Sequence, residues 1–169
     1  NELDAKHKEP DHAKLREVMV EWVRNTGNKV LVCPEMSYQL SIMDELLINK
    51  LPADVKPYIE KRDRYWLCNE AATVYKHACV VVSFECHSPI IAFYLRQPED
   101  TIKGHMYHDI GLSDWIFEIE KVTGNEIAKR LIQTYAQIEQ SRLKLEKAMD
   151  FVRQTQKNNM RQVSNLLAN

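Results

Sequence analysis

The residues best placed to do chemistry are Ser83-Phe84-Glu85-Cys86-His87-Ser88-Pro89. They stand at the end of Cys79-Val80-Val81-Val82-Ser83-Phe84, the strongest strand signal in the chain. Ser88 and Pro89 are the residue types that open a helix, at the N-cap and the first helical position. Ile90, Ile91 and Leu95 then carry its apolar content. In open parallel sheets ligands bind beyond the carboxyl ends of strands. A helix starting there adds free backbone amides and the positive end of its dipole, which favour an anion. His87 at that position could move a proton or bind a phosphate or carboxylate oxygen. It could equally cap or pack at the strand end. Ser83 and Ser88 flank it as hydroxyls available to the same anion.

The elements that must hold this segment can be read in order. Residues 1–10 are polar, end in Pro10 and suggest a lead-in. Asp11 is placed to cap a helix whose stripe is Leu15, Val18, Met19, Trp22 and Val23, and Gly27 stops it. Lys29-Val30-Leu31-Val32-Cys33 is a continuous apolar run, suited to a strand covered on both faces as in a parallel sheet. The spacing predicts a helix over 37–50 with Leu40, Met43, Leu46 and Leu47 inward. Residues 55–60 suggest a short strand that Pro57 confines to an edge. Glu60–Arg64 reads as a charged loop, and Asn69 as the cap of a short helix carrying Ala72, Val74 and Tyr75. Residues 96–114 are polar with scattered anchors. Trp115–Ile119 suggests a last short strand or an apolar lid. Thr123-Gly124-Asn125-Glu126 is a capping box. From Asn125 to Asn169 there is neither Gly nor Pro, which predicts one very long helix, or two with a soft break near Lys157-Asn158-Asn159. Strand–helix alternation of this kind argues for parallel βαβ units. The expected fold class is α/β, a Rossmann-like open parallel sheet flanked by helices, with a lobe over 1–124 and a helical tail over 125–169.

Composition closes off several classes. A net charge of −1 over 169 residues gives no electrostatic reason to expect nucleic acid. No apolar run is long enough to span a bilayer, and no signal peptide opens the chain. With four glycines there is no Gly-rich phosphate loop, no GxGxxG and no Walker motif, so no nucleotide cofactor is expected. Cys33, Cys68, Cys79 and Cys86 form no CxxC pair and read as reduced thiols of a cytoplasmic protein. Adjacent Cys86 and His87 are poorly spaced for one tetrahedral metal site. His105 and His108 are spaced as a metal pair, but a solvated polar turn accounts for them. No metal is expected.

The strand followed by Ser-x-x-x-His-Ser and an apolar helix resembles the polysaccharide pyruvyl transferase family, whose usual form is Ser-x-Arg-Leu-His-Ser. Pro98, then Thr101-Ile102-Lys103-Gly104, then Asp109-Ile110-Gly111-Leu112-Ser113-Asp114-Trp115 resembles that family's Pro, Lys and Gly-Leu signposts. The resemblance covers about residues 28–122 and rests on order and spacing rather than on one motif. It implies two Rossmann-like lobes with the active site between them, of which this chain would be the C-terminal one. It implies transfer of a pyruvyl group from phosphoenolpyruvate, as a ketal, to hydroxyls of a sugar acceptor, with His87 as the acid/base group and Lys103 pairing with an anionic donor or product. An opening at Asn1-Glu2-Leu3-Asp4 without Met fits a processed product or a fragment whose N-terminal lobe is elsewhere.

One departure bears on the chemistry. Where the family has arginine, this chain has Glu85, which repels the anion a guanidinium would hold. The donor is then held by other cations, such as Lys103 or Arg96, or the substrate differs. Glu85 could bind sugar hydroxyls, or hold His87 as an imidazolium and raise its pKa. It could also make a structural salt bridge to Arg96 or Lys103. Trp66 beside Arg62 and Arg64 could stack on a base or sugar, or anchor a loop. Trp115 could be a sugar platform or a core plug. In the tail, Tyr135, Ile138, Leu145, Met149 and Val152 follow a coiled-coil rhythm, with Arg142 and Gln156 at seam positions. That rhythm asks for a partner surface, either the missing lobe or a homo-oligomer through 125–169. Two other functions stay open: a nucleotide-sugar glycosyltransferase lobe, although Glu85 is followed eight residues on by Phe93 rather than Glu, and a non-catalytic module whose tail mediates oligomerisation.

Overall fold

The computed structural model describes residues 8–83, 99–101 and 106–167. Helix α1 (Lys8–Thr26) buries Val18, Met19, Trp22 and Val23, the stripe its spacing predicts. Asp11 lies inside this helix rather than at its cap, and Pro10 sits near its start, where a missing N–H costs nothing. Gly27 ends it at φ +67°, and its amide donates to the Val23 carbonyl at 2.8 Å. Only glycine takes that left-handed turn without steric cost.

Strand β1 (Val30–Val32) pairs in parallel with β2 (Ile59–Lys61), in the register Val30↔Ile59 to Val32↔Lys61. The expected helix over 37–50 is instead three pieces: a 3₁₀ turn Ser37–Ser41, the single α turn α2 (Met43–Leu46) and a 3₁₀ turn Ile48–Lys50. Its apolar residues still point inward, and Met43, Leu46, Leu47 and Leu51 are buried. Pro57 falls in a 3₁₀ turn (Lys56–Tyr58), so the strand expected over 55–60 is confined to Ile59–Lys61. Lys61, expected in a charged loop, therefore belongs to β2.

Helix α3 (Cys68–Tyr75) follows, with Leu67 as N-cap and no side-chain cap, so Asn69 is inside it. Strand β3 (Val81–Ser83) pairs in parallel with β4 (Glu99–Thr101). The two ladders are separate two-stranded sheets, each parallel. The chain is thus a mixed α/β molecule, mostly helical, and the described strands do not join into one open sheet. Its core is a series of apolar clusters between helices and these ladders.

The segment after β4 forms a short helix α4 (Met106–Asp109) and 3₁₀ turns at Ser113–Trp115 and Ile119–Lys121. Trp115 is 3% exposed and packs with Tyr107, Leu112, Leu145 and Ala148, so it is a core plug and no strand forms there. The capping box is made as expected: the Thr123 amide donates to Glu126 Oε2 at 2.8 Å, and the Glu126 amide to Thr123 Oγ1 at 3.2 Å. It opens α5 (Gly124–Ala136), which lays Ile127, Ala128 and Leu131 on Val18, Trp22 and Val23 of α1. Helix α6 (Ile138–Leu167) runs unbroken through Lys157-Asn158-Asn159. The break falls at Gln137 instead, at φ −111° and ψ 37°. Leu145, Ala148 and Met149 are buried, whereas every residue from Arg153 to Leu167 is exposed.

Candidate functional site

Parallel pairing aims the carboxyl ends of β1 and β2 the same way, and those of β3 and β4 likewise. Just past β1 come Cys33, Pro34 and Glu35; just past β2 comes Arg62; Ser83 closes β3. Ser83 Oγ donates to Glu35 Oε1 at 2.7 Å. That bond ties the carboxyl ends of the two ladders together, although no strand pairing joins them. The loop after β1 is held in turn by Gln39, whose Oε1 accepts from the amides of Glu35 at 2.7 Å and Met36 at 2.9 Å. Glu35 therefore has a fixed backbone and one fixed oxygen. Its other oxygen, Oε2, is buried with no hydrogen-bond partner. A buried carboxylate oxygen left so is costly, and it is a ready acceptor for a hydroxyl or another donor.

Beside it is a cavity of about 570 Å³, in the range of small-molecule sites. Its walls are mostly apolar, from Trp22, Met43, Val32, Val81 and Leu131, and Glu35, Gln39 and Ser83 stand among its polar groups. His12, only 4% exposed, also lines it from α1. Cys33 stands next to Glu35 and within the field of Arg62. Burial pushes its thiol up to about 12; Arg62 pulls the other way and Glu35 adds to the rise. The thiol is thus neutral at ordinary pH and is neither nucleophile nor counter-charge.

Arg62 continues the ladder, since its amide donates to the Val32 carbonyl at 3.0 Å. Its side chain is 19% exposed. The guanidinium carbon lies 4.6 Å from the ring centroid of Trp66, which is itself buried and meets Tyr75 edge-on at 5.5 Å. Trp66 is thus a loop anchor with an arginine stacked on it. Nη2 of Arg62 lies 3.2 Å from Glu70 Oε1, and Nη2 of Arg64 lies 2.8 Å from the same oxygen. One carboxylate is shared by two guanidinium groups. Nε and Nη2 of Arg62 have no aligned hydrogen-bond acceptor.

No family model, curated protein or solved structure matches the chain. Of the residues expected to act, Ser83 is placed at a strand end facing the cavity. His87, Glu85, Ser88, Arg96 and Lys103 lie outside the described residues, as does the helix expected after Ser88. Glu35, Gln39, His12 and Arg62 escaped the sequence reading. Glu35 follows Pro34 directly after a strand, the position where polar residues of parallel sheets face ligands. The same rule that singled out the end of β3 could have singled it out.

Proposed function

We propose that this chain is a pyruvyl transferase-like lobe, acting at the carboxyl ends of its parallel strands. In this reading an anionic donor such as phosphoenolpyruvate lies over the end of β3, where His87 would transfer the proton. A sugar hydroxyl of the acceptor approaches the free oxygen of Glu35. Forming the ketal needs a proton delivered to the enol carbon and a proton removed from each of two acceptor hydroxyls, as two C–O bonds form to the central carbon and its C–O bond to phosphate breaks, releasing inorganic phosphate. His87, four residues past Ser83 in sequence, and Glu35, just past β1, are suitable group types for those two tasks. The supporting observation is the Ser83–Glu35 hydrogen bond, which brings two strand ends to one cavity. The reading carries with it a cytoplasmic location, where Cys33 and Cys68 stay reduced.

Titration of the chain with phosphoenolpyruvate, followed by amide NMR, tests it. Shifts at Ser83, His87 and Ser88 are expected, with Glu35→Gln leaving donor binding intact. Shifts produced by a nucleotide sugar and not by phosphoenolpyruvate would replace the reading with a glycosyltransferase lobe.

A second reading has its own support. Met160, Val163, Leu166 and Leu167 are between 46% and 83% exposed on the last turns of α6. A tail that binds a second copy of the chain, as a non-catalytic oligomerisation module, would cover them. Light scattering that falls to monomer mass on Val163→Glu, with no ligand shifts at Ser83, is the outcome that favours it. Among the described residues no helix is long and apolar enough to cross a membrane.

A further inference from the structure

The cavity of about 570 Å³ runs the length of two strands. All of β1, from Val30 to Val32, and all of β3, from Val81 to Ser83, line it. Among the described strands β1 pairs only with β2 and β3 only with β4, so each ladder contributes a separate wall. Helix α1 covers the space with Leu15, Val18, Met19 and Trp22, and α5 adds Leu131. Polar side chains fall mainly beyond the strands. Glu35, Gln39 and Ser83 stand where the strands finish, and Asn28 and His77 precede their starts. His12 adds a polar group from α1.

Such walls set the chemistry of what fits. Protein interiors are close-packed, and voids larger than a water molecule are few. A buried water needs polar partners, about two to four of them. The side chains of α1, β1 and α5 along the cavity are almost all apolar. Left empty, the space would cost every lining atom its dispersion contacts on that side. A free sugar is no better, because most of its hydroxyls would be buried against apolar walls without partners. An apolar body restores the contacts and takes the lining out of water. An entrance exists as well, since Leu31 and His77 line the cavity and are exposed, Leu31 by 44%.

We propose that this cavity binds an apolar small molecule, a hydrocarbon chain or ring system whose polar atoms are confined to one end. The body lies along β1 and β3, and the polar end faces Glu35, Gln39 and Ser83. The site stands on the cavity alone; only the role of its ligand rests on the transferase reading. Under that reading the ligand is the apolar group that carries the acceptor hydroxyl to Glu35. A volume of this size takes a ligand of ordinary small-molecule dimensions, held by many weak contacts and oriented by a few polar ones.

The test is a titration of the whole chain with 1-hexanol, 1-octanol and 1-decanol, with 2-naphthol as a ring-shaped arm and glucose as the polar control. The readout is the indole N–H resonance of each tryptophan, because Trp22 lines the cavity and Trp66 and Trp115 do not. The alcohols are expected to shift Trp22 saturably and to leave the other two in place. Affinity should rise about fourfold per added methylene until the space is full. Tighter binding of 1-decanol assigns a chain, and tighter binding of 2-naphthol a ring; either upholds the site. Val82 is half-buried in the β3 wall. Val82→Phe should fill the space, weaken 1-decanol about tenfold or more, and hold or raise the urea midpoint. Circular dichroism checks the fold. If this variant does not fold, Val30→Phe on the β1 wall decides, and an affinity equal to the parent's overturns the site. Equal shifts at all three tryptophans, glucose acting as strongly as 1-decanol, or no shift from any probe also overturn it. Apolar binding with no response of His87 to phosphoenolpyruvate keeps this site and removes the transferase reading. Phosphoenolpyruvate binding without apolar binding removes this site alone.

Discussion

Cys33 shows how one buried group links the site to stability. Its thiol is held up to about 12 from an ordinary 9.0, chiefly by burial. Above pH 9 the unfolded chain loses this proton while the folded chain keeps it. The unfolded state then binds fewer protons, so stability falls as pH rises from about 9 toward 12. Cys33→Ala should flatten that part of the curve, measured as urea midpoints at pH 8 and 10. Folded Cys33 should also resist alkylation at pH 8, whereas exposed Cys68 reacts. Gly124 makes a second residue-scale case. A Cβ there would stand 2.6 Å from the Lys14 carbonyl and 2.7 Å from Glu17 Cβ. The first of these is helix backbone and cannot swing aside. Gly124→Ala should therefore cost about 1–3 kcal/mol by overpacking the α1–α5 contact, read from the denaturation midpoint.

Among the elements, what could be read from sequence was what local chemistry decides. Gly27 and the Thr123–Glu126 pair mark a helix end and a helix start because their own backbone geometry and hydrogen bonds make them. The inward stripe of α1 was legible because five apolar residues share one face. The expected helix over 37–50 broke into turns although its apolar spacing was right. The chain must return to β2 within a few residues, and tertiary packing outweighs weak propensity. Strand β4 was missed because Glu99-Asp100-Thr101 carries no apolar alternation; it exists by pairing with β3. The break at Gln137 carries no Gly or Pro either. It redirects the chain from α1, on which α5 packs, to the 107–115 segment, on which α6 packs. At the site, Ser83 was legible from its strand end, but Arg62 looked like part of a solvated charge run. Its partial burial comes with the stacking on a tryptophan four residues later. The far turns of α6 allow a prediction at this scale. Residues 153–167 bury nothing, and an isolated helix of that length is marginal in water. Their amides should exchange with deuterium orders of magnitude faster than those of 141–149 in dilute solution. Equal protection in both segments would mean that the exposed face is already covered.

At the scale of the molecule, the question is whether α6 is an appendage or part of the core. Leu145 is fully buried among Tyr107, Leu112, Trp115 and Ala148. Asp114 binds Arg130 of α5 at 3.3 Å and also pairs with Lys144 of α6, whose ammonium lies 5.5 Å from the Trp115 ring. One turn of chain thus receives both tail helices, and α5 in turn holds α1 and the cavity wall at Leu131. Exposed ion pairs such as these contribute little, roughly 0–1 kcal/mol each, so the apolar contact should dominate. Leu145→Ala removes side-chain volume from a site with no exposure, and such changes cost about 2–5 kcal/mol when the surroundings cannot collapse. If the tail is structural, this variant should lower the urea midpoint of the whole chain in a single transition, and the Trp115 environment should loosen at the same denaturant concentration as the α1 region. If the tail were only hung on, the midpoint followed from the α1–α5 core would stay put while a separate early transition appeared. The cluster joins α4 and the 113–115 turn to α6, which lies about thirty residues further on at Leu145. The single transition is therefore the expected outcome, and with it a cavity whose shape depends on helices far from the strand ends.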